Sequence, residues 1–271
     1  MDFLSREASP LSEALWKQID STVVGAATRV LIGRRFLKLF GPLGIGVQHI
    51  SVDDADHVEQ VAQDGLITTR GRKVLEIPMI YDDFLLYARD LEAADRSGFP
   101  VDLSKAAAAA EACALKEDKL IFFGDNRVGY DGLLTVPGAN KIERKDWSTG
   151  ENAFSDIAAA LELLTEKGIY GPYALALSPD LYMQMQRIQP GTGLLEIDRV
   201  SKLVGGHVFK SPVLGKGKAV LVASDERNMD LVVGQDMATA YLEQTELNHR
   251  LRVLETVLLR IKRSQAIVVF E

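Results

Sequence analysis

Between Gly46 and Pro78 the chain reads as extended backbone without a core of its own. Val47-Gln48-His49-Ile50-Ser51-Val52 alternates apolar and polar residues at period two. Gly65-Leu66-Ile67-Thr68-Thr69 and Val74-Leu75-Glu76-Ile77-Pro78 are β-like runs on either side of the turn-rich Arg70-Gly71-Arg72. A two-stranded ribbon with so thin an apolar stripe is marginal in water by itself. The pattern predicts a projecting β-hairpin that something outside it must cover, and that requirement narrows the folds open to the whole chain.

The flanking segments are conventional. Ser12 is placed as a helix N-cap, with Leu11 and Trp16 as a hydrophobic staple around it. Leu15, Trp16, Ile19, Val23, Val30 and Leu31 continue an apolar stripe, predicting a helix to about Phe40 that Gly41-Pro42 stops. Near its end Leu31, Ile32, Phe36, Leu37, Leu39 and Phe40 spread wider than one stripe, so this end calls for a second partner. A second helix starts at Ser104 and runs through an alanine-rich stretch to Gly124. A third opens at Thr149, carries Phe154, Ile157, Leu161 and Leu164, and closes at Gly168. Tyr173 to Leu177 reads as a buried strand, Pro179 starts a short helix, and Gln189-Pro190-Gly191-Thr192-Gly193 is an exposed loop. Another helix to Val204 follows, and the rest is strands: His207 to Phe209, Ala219 to Ala223, Leu231 to Val233, Ala240 to Glu243, Leu251 to Ile261 and Ala266 to Phe270. The class is α+β.

Composition then removes whole classes of function. The 271 residues are 47% hydrophobic and 25% charged, ordinary for a folded domain, with net charge −7. Nucleic-acid binding needs clustered cations; Arg34-Arg35, Arg70 to Lys73 and Arg260 to Arg263 are short enough to be solvated faces, so no nucleic acid is expected. Cys113 is the only cysteine, which rules out an intrachain disulfide and a cysteine metal cage. Met1 to Ala8 lacks an apolar signal core and no run of about 18 apolar residues occurs, so a cytoplasmic protein without membrane attachment is expected.

Catalytic patterns are missing. His49, His57, His207 and His249 share no metal-ligand spacing, and there is no Gly-x-Ser-x-Gly elbow. Gly215-Lys216-Gly217-Lys218 lacks the spacer and hydroxyl of a phosphate loop, and Gly41 to Gly46 carries a proline and leads into a strand. Asp53, Asp54 and Asp56 miss the calcium-loop spacing. No catalytic, metal or cofactor residue is expected, and the chain is not read as an enzyme.

Several stretches, taken in order, resemble the encapsulin (linocin-like) family of nanocompartment shell proteins. They are Met1-Asp2-Phe3-Leu4 with Ala8-Ser9-Pro10-Leu11, Trp16 and Ile19-Asp20; Gly33-Arg34-Arg35-Phe36 and Gly41-Pro42-x-Gly44; and Val101-Asp102-Leu103-Ser104 with Glu117-Asp118 and Ile121-Phe122-x-Gly124. Gly129-x-x-Gly132-Leu133-Leu134, Gly168-Ile169-x-Gly171-Pro172-Tyr173-Ala174-Leu175 and Val233-Gly234-Gln235-Asp236-Met237 complete the set. The resemblance implies the major-capsid fold of tailed bacteriophages. Its peripheral domain would take residues 1–45, 81–134 and 225–271, its extended β-hairpin arm 46–80, and its apical domain 135–224.

It further implies a homo-oligomeric icosahedral shell around a cargo enzyme, a peroxidase, ferritin-like or other redox or iron-handling protein held by a short targeting peptide. Leu31, Arg34 and Phe36 fall where such a peptide would dock, the guanidinium hydrogen-bonding the peptide backbone and the apolar residues giving it a groove; the competing reading makes Leu31 and Phe36 core and Arg34 a surface cation. Lys38 stands where some relatives are acidic. Ile188, Gln189, Pro190, Gly191, Thr192, Gly193 and Leu194 match the pore loop, with a nearly neutral lining expected from Gln189 and Thr192. Phe84 to Leu91 lacks the tryptophan beside which some relatives bind flavin, so no flavin is expected. Two other readings stand beside the shell: a prophage major capsid protein packaging DNA, and a stand-alone hydrolase or protease.

Overall fold

The computed structural model describes residues 3–52, 58–189, 191 and 193–271. Helix α1, Glu13–Val30, begins as expected: the Ser12 hydroxyl accepts the Leu15 N–H at 3.2 Å. Its buried face is Trp16, Ile19, Val23, Ala26 and Ala27. It stops at Val30, ten residues short of the predicted Phe40. The Asp118 carboxylate accepts the N–H groups of Ile32 and Gly33, each at 2.9 Å, and so pulls the chain off the helical path. A 3-10 turn at Gly33–Arg35 and a short strand at Leu39–Phe40 take up the remainder.

The expected ribbon consists of two antiparallel pairs. His49–Val52 pairs with Lys73–Glu76, and Glu59–Gln63 with Leu66–Arg70. Asp53, Asp54 and Asp56 lie outside the described residues. Leu66, Ile67 and Val74 stay 65%, 63% and 59% exposed, whereas Ile50 and Leu75 pack partly buried against Ile77, Tyr130, Val232 and Leu258, so the ribbon is anchored at one end and leaves these other apolar side chains in water. Two elements absent from the sequence reading follow it: a strand at Met79–Leu86 and helix α2, Ala88–Ser97, which buries no residue.

Helix α3, Ser104–Phe123, is the spine. Its buried positions include Ala106, Ala109, Ala110, Cys113 and Ala114, and such small side chains let α1 and a sheet approach the helix axis closely. That sheet centres on the fourteen-residue strand Asn248–Ile261. Met79–Leu86, Ala238–Thr245 and Met229–Val233 all pair with it antiparallel, and Leu39–Phe40 adds in parallel to Met229–Val233.

The second sheet runs Val208–Lys210, Tyr173–Leu177, Ala219–Ala223, Ile267–Phe270 and Asn140–Ile142. Every residue of Ala219–Ala223 is buried, which explains its unbroken apolar run. Helices α4 (Asn152–Glu166), α5 (Pro179–Gln184) and α6 (Glu196–Leu203) accompany it. The closing strand Ile267–Phe270 pairs with Ala219–Ala223. Residues 225–271, read from sequence as one peripheral group, divide between the two sheets, because the last strand is apolar throughout and takes an inner place in the second, between Ala219–Ala223 and Asn140–Ile142.

Candidate functional site

Two acidic residues stand side by side, fully buried, on the alanine-rich spine: Glu117 and Asp118. Each has a task. Asp118 holds the backbone that leaves α1, as above, and burial pushes its carboxyl up to about 6 against the N–H bonds from Gly33 and Ile32 that favour ionisation. Glu117 takes the guanidinium of Arg34 in two-pronged fashion, from Nε at 2.9 Å and from a terminal nitrogen at 2.8 Å. The same terminal nitrogen reaches Glu255, also fully buried, at 2.8 Å, and the other reaches Asp236 at 2.6 Å. Burial works against the Arg34 charge, but Glu117, Glu255 and Asp236 outweigh it and hold the guanidinium above its ordinary basicity.

All three guanidinium nitrogens of Arg34 are thus engaged within the subunit. The expectation that this side chain would hydrogen-bond a peptide backbone meets an arginine already committed as a tie between four segments.

Leu31 and Arg34 border a groove of about 290 Å³ at the end of α1. Leu31 and Ala27 form its buried apolar wall, Val24 stands 55% exposed at its side, and Arg35 and Asp236 supply charge. Phe36 faces a neighbouring hollow of about 400 Å³, with Lys38, His207 and Glu226. Its ring leans on Phe209 and Phe122, with centroids 5.6 and 6.3 Å away. The three residues expected together are therefore split between two adjacent depressions, and Arg35 borders both. Lys38 is paired with Glu226.

The loop matched to a pore is pinned at its base. Ile188 bridges Leu195, and the Gln189 N–H donates to the Leu194 carbonyl at 2.9 Å. Below it Arg187 binds the fully buried Glu196 at 2.8 Å and the carbonyls of Ser148 and Gly150, which fastens the loop to the segment entering α4. Gln189 is buried, whereas Ile188 and Leu194 are 66% and 44% exposed. Of the two residues expected to give the lining its neutral character, only Gln189 is among the described residues. Pro190 and Thr192 lie outside the described residues.

Sequence reasoning did not assign a role to Glu117, Asp118, Asp236 or Glu255. The signal for Glu255 was present: a lone carboxylate inside Val253-Leu254-Glu255-Thr256-Val257-Leu258-Leu259, where every neighbour is buried. Cys113 donates weakly to the Val253 carbonyl at 3.6 Å, and burial pushes its thiol up to about 12, so it is inert packing. Among the described residues no group of three or more histidine, cysteine or acidic residues is arranged to hold a metal ion.

A spine helix over one sheet, a ribbon that cannot cover itself and a second sheet with its own helices define a capsid-type shell subunit. The virus-like particle from Pyrococcus furiosus superposes with a TM-score of 0.78 over 96% of this chain and 100% of that one, at 22% identity. The capsid of Myoviridae phage XM1 gives 0.64 over 88% and 90%, at 14%. The family described as encapsulating protein for peroxidase matches residues 1–258. The chain belongs to that family, the encapsulin shell proteins.

It is 44% identical to the type 1 encapsulin shell protein EncA of Myxococcus xanthus, over 100% of this chain and 96% of the relative. It is 39% identical to a diheme-cytochrome-encapsulin shell fusion protein of Kuenenia stuttgartiensis, over 94% of this chain and 72% of that protein. A ferritin-like-encapsulin shell fusion protein of Pyrococcus furiosus is 25% identical over 72% and 52%. The protein is accordingly a structural subunit that assembles with copies of itself into a nanocompartment shell, and not an enzyme.

Proposed function

We propose that the shell is icosahedral and encloses a redox or iron-handling protein, docked by a short peptide laid into the groove at the end of α1. The observation that carries this reading is the groove itself: an apolar wall of Ala27 and Leu31 with Val24 and Met237 beside it, bordered by charge of both signs at Arg35 and Asp236. That is what an extended apolar peptide needs for burial and register. The relatives support the class of guest, since one shell is fused to a diheme cytochrome, another to a ferritin-like protein, and the family is described by a peroxidase. The docking set becomes Val24, Leu31, Arg35 and Met237, with Arg34 shaping the wall and Phe36 in the adjoining hollow. The loop Ile188 to Leu194 is proposed to line a pore through which the guest's small substrates pass.

Shells purified from the source cells should contain one dominant second protein by mass spectrometry. Val24→Asp and Met237→Asp place a charge against the apolar wall and should each lower its yield about tenfold, a cost of roughly 1.4 kcal/mol, while shells still form. Undiminished guest in both variants, or nuclease-resistant DNA in place of a protein, defeats the reading.

A further inference from the structure

The arginine tie is unbalanced. Glu117, Glu255 and Asp236 surround the single cation Arg34, and two of the three carboxylates are fully buried. Burying an excess anion is costly unless it is neutralised. The second oxygen of Glu255, Oε1, is buried with no hydrogen-bond partner as placed. Glu117 and Glu255 accept from the same Arg34 terminal nitrogen, each at 2.8 Å, which brings two acceptor groups together, and two carboxyl groups share a hydrogen bond only when one of them carries a proton.

Among the described residues no cation besides Arg34 is paired with Glu117 or Glu255. From α3, Cys113 and Asp118 join Glu117. Across the sheet, Ile80 faces Glu255. The nearest acids on that strand are engaged elsewhere, Asp83 with Arg250 and Arg252 and Asp82 with Lys116. Arg35 acts on Asp118.

We propose that Glu255 is a positioning residue that carries a proton on Oε1, donated to Glu117, and that this shared proton latches the turn Gly33–Arg35 onto α3. With the proton in place, Glu117 and Arg34 form a one-to-one pair and Glu255 completes it as a neutral donor. Without it, two buried anions face each other across one guanidinium. The turn is three residues long and is held to α3 by Arg34 and by the Asp118 contacts to Ile32 and Gly33. The inference concerns the turn itself and holds whether or not a peptide occupies the groove beside it. Burial first, then the charge of Glu117, pushes the Glu255 carboxyl well above its ordinary value, against the pull of Arg34.

The direction follows from linkage. A proton held in the latched state and lost in the open one makes opening easier as pH rises, by up to about tenfold per pH unit, until Glu255 ionises in the latched state too. Amide hydrogen exchange across residues 31–37, measured on empty assembled shells from about pH 5 to about pH 10 and divided by intrinsic rates, reads this directly. Wild-type protection should fall with that slope and then level. Glu255→Gln keeps the shape and the donor but cannot ionise; it should assemble, match the wild type's low-pH protection, lose only what Asp118 contributes up to about pH 6, and show a flat profile above that. In wild-type shells the infrared band of a protonated carboxyl should persist at neutral pH and vanish in Glu255→Gln. A flat wild-type profile overturns the proposal. So does an unchanged slope in Glu255→Gln, weaker protection in that variant at every pH, or its failure to assemble, since each means that Glu255 acts as an anion.

Discussion

Single side chains do the joining in this subunit, and Asp118 shows how. Its two oxygens accept the first N–H groups beyond α1, which would otherwise be buried donors without partners. Asp118→Ala orphans both, at roughly 1–3 kcal/mol for each, whereas Asp118→Asn retains an acceptor and should cost far less. The two variants also separate by pH. The folded chain holds this proton up to about 6, against 3.8 ordinarily, so Asp118's contribution to stability falls as pH rises from about 4 to about 6, and is constant above. The fall amounts to about 3 kcal/mol. Subtracting the thermal midpoints of Asp118→Asn shells from those of wild type across that range should isolate the slope; a difference independent of pH would refute the assignment. Glycine carries a comparable burden where backbones touch. A Cβ on Gly132 would lie 2.3 Å from the Gly124 nitrogen, so the paired glycines quoted for the family resemblance reflect a crossing of two backbones. The sequence displayed the residues at both places, but their reasons are contacts between segments some eighty-five and eight positions apart, which no local pattern encodes.

Elements fared according to how local their causes are. Helix α3 and the strand Ala219–Ala223 stand where propensity and apolar runs put them, because their own composition decides them. The end of α1 was misjudged since Asp118, a residue of another helix, ends it. The strand Met79–Leu86 escaped notice because it owes its form to pairing with Asn248–Ile261, far along the chain, and Asp82 and Asp83 interrupt its alternation. In the candidate groove Leu31 and Arg34 were legible by resemblance, but Arg34's true neighbours were not, as ion pairs leave no periodic trace. The ribbon was the clearest element of all, and its prediction belongs at this scale. Leu66→Ser with Ile67→Ser alters side chains already 65% and 63% exposed. The subunit's own stability should move by no more than about 0.5 kcal/mol, while particle formation, followed by size-exclusion chromatography and negative-stain microscopy, should be lost. Normal particles from this variant would mean that neighbouring subunits do not cover the ribbon tip.

At the scale of the whole molecule the fold alone does not choose between a guest made of protein and one made of DNA. Phage capsids share it at 14% identity, so the architecture is indifferent to contents. Charge is not indifferent. Each subunit brings net −7, and every copy added to a closed shell adds to a like-charged field that phosphate would have to enter. The cation clusters visible in the sequence do little to relieve this. Arg260 and Lys262 both end on the buried Asp230, at 2.6 and 2.8 Å, and Arg34 is enclosed by its three carboxylates. A guanidinium already neutralised by a buried carboxylate has little charge left with which to displace the counterions condensed on phosphate. Shells purified at low salt and treated with nuclease should therefore carry the ultraviolet spectrum of protein alone, and nucleic-acid staining of the dissociated particle should be blank. Low salt is the stringent condition, because electrostatic binding is strongest there. Protected double-stranded DNA recovered under those conditions would reverse the argument from charge and restore the genome-packaging alternative, with the folded subunit unchanged.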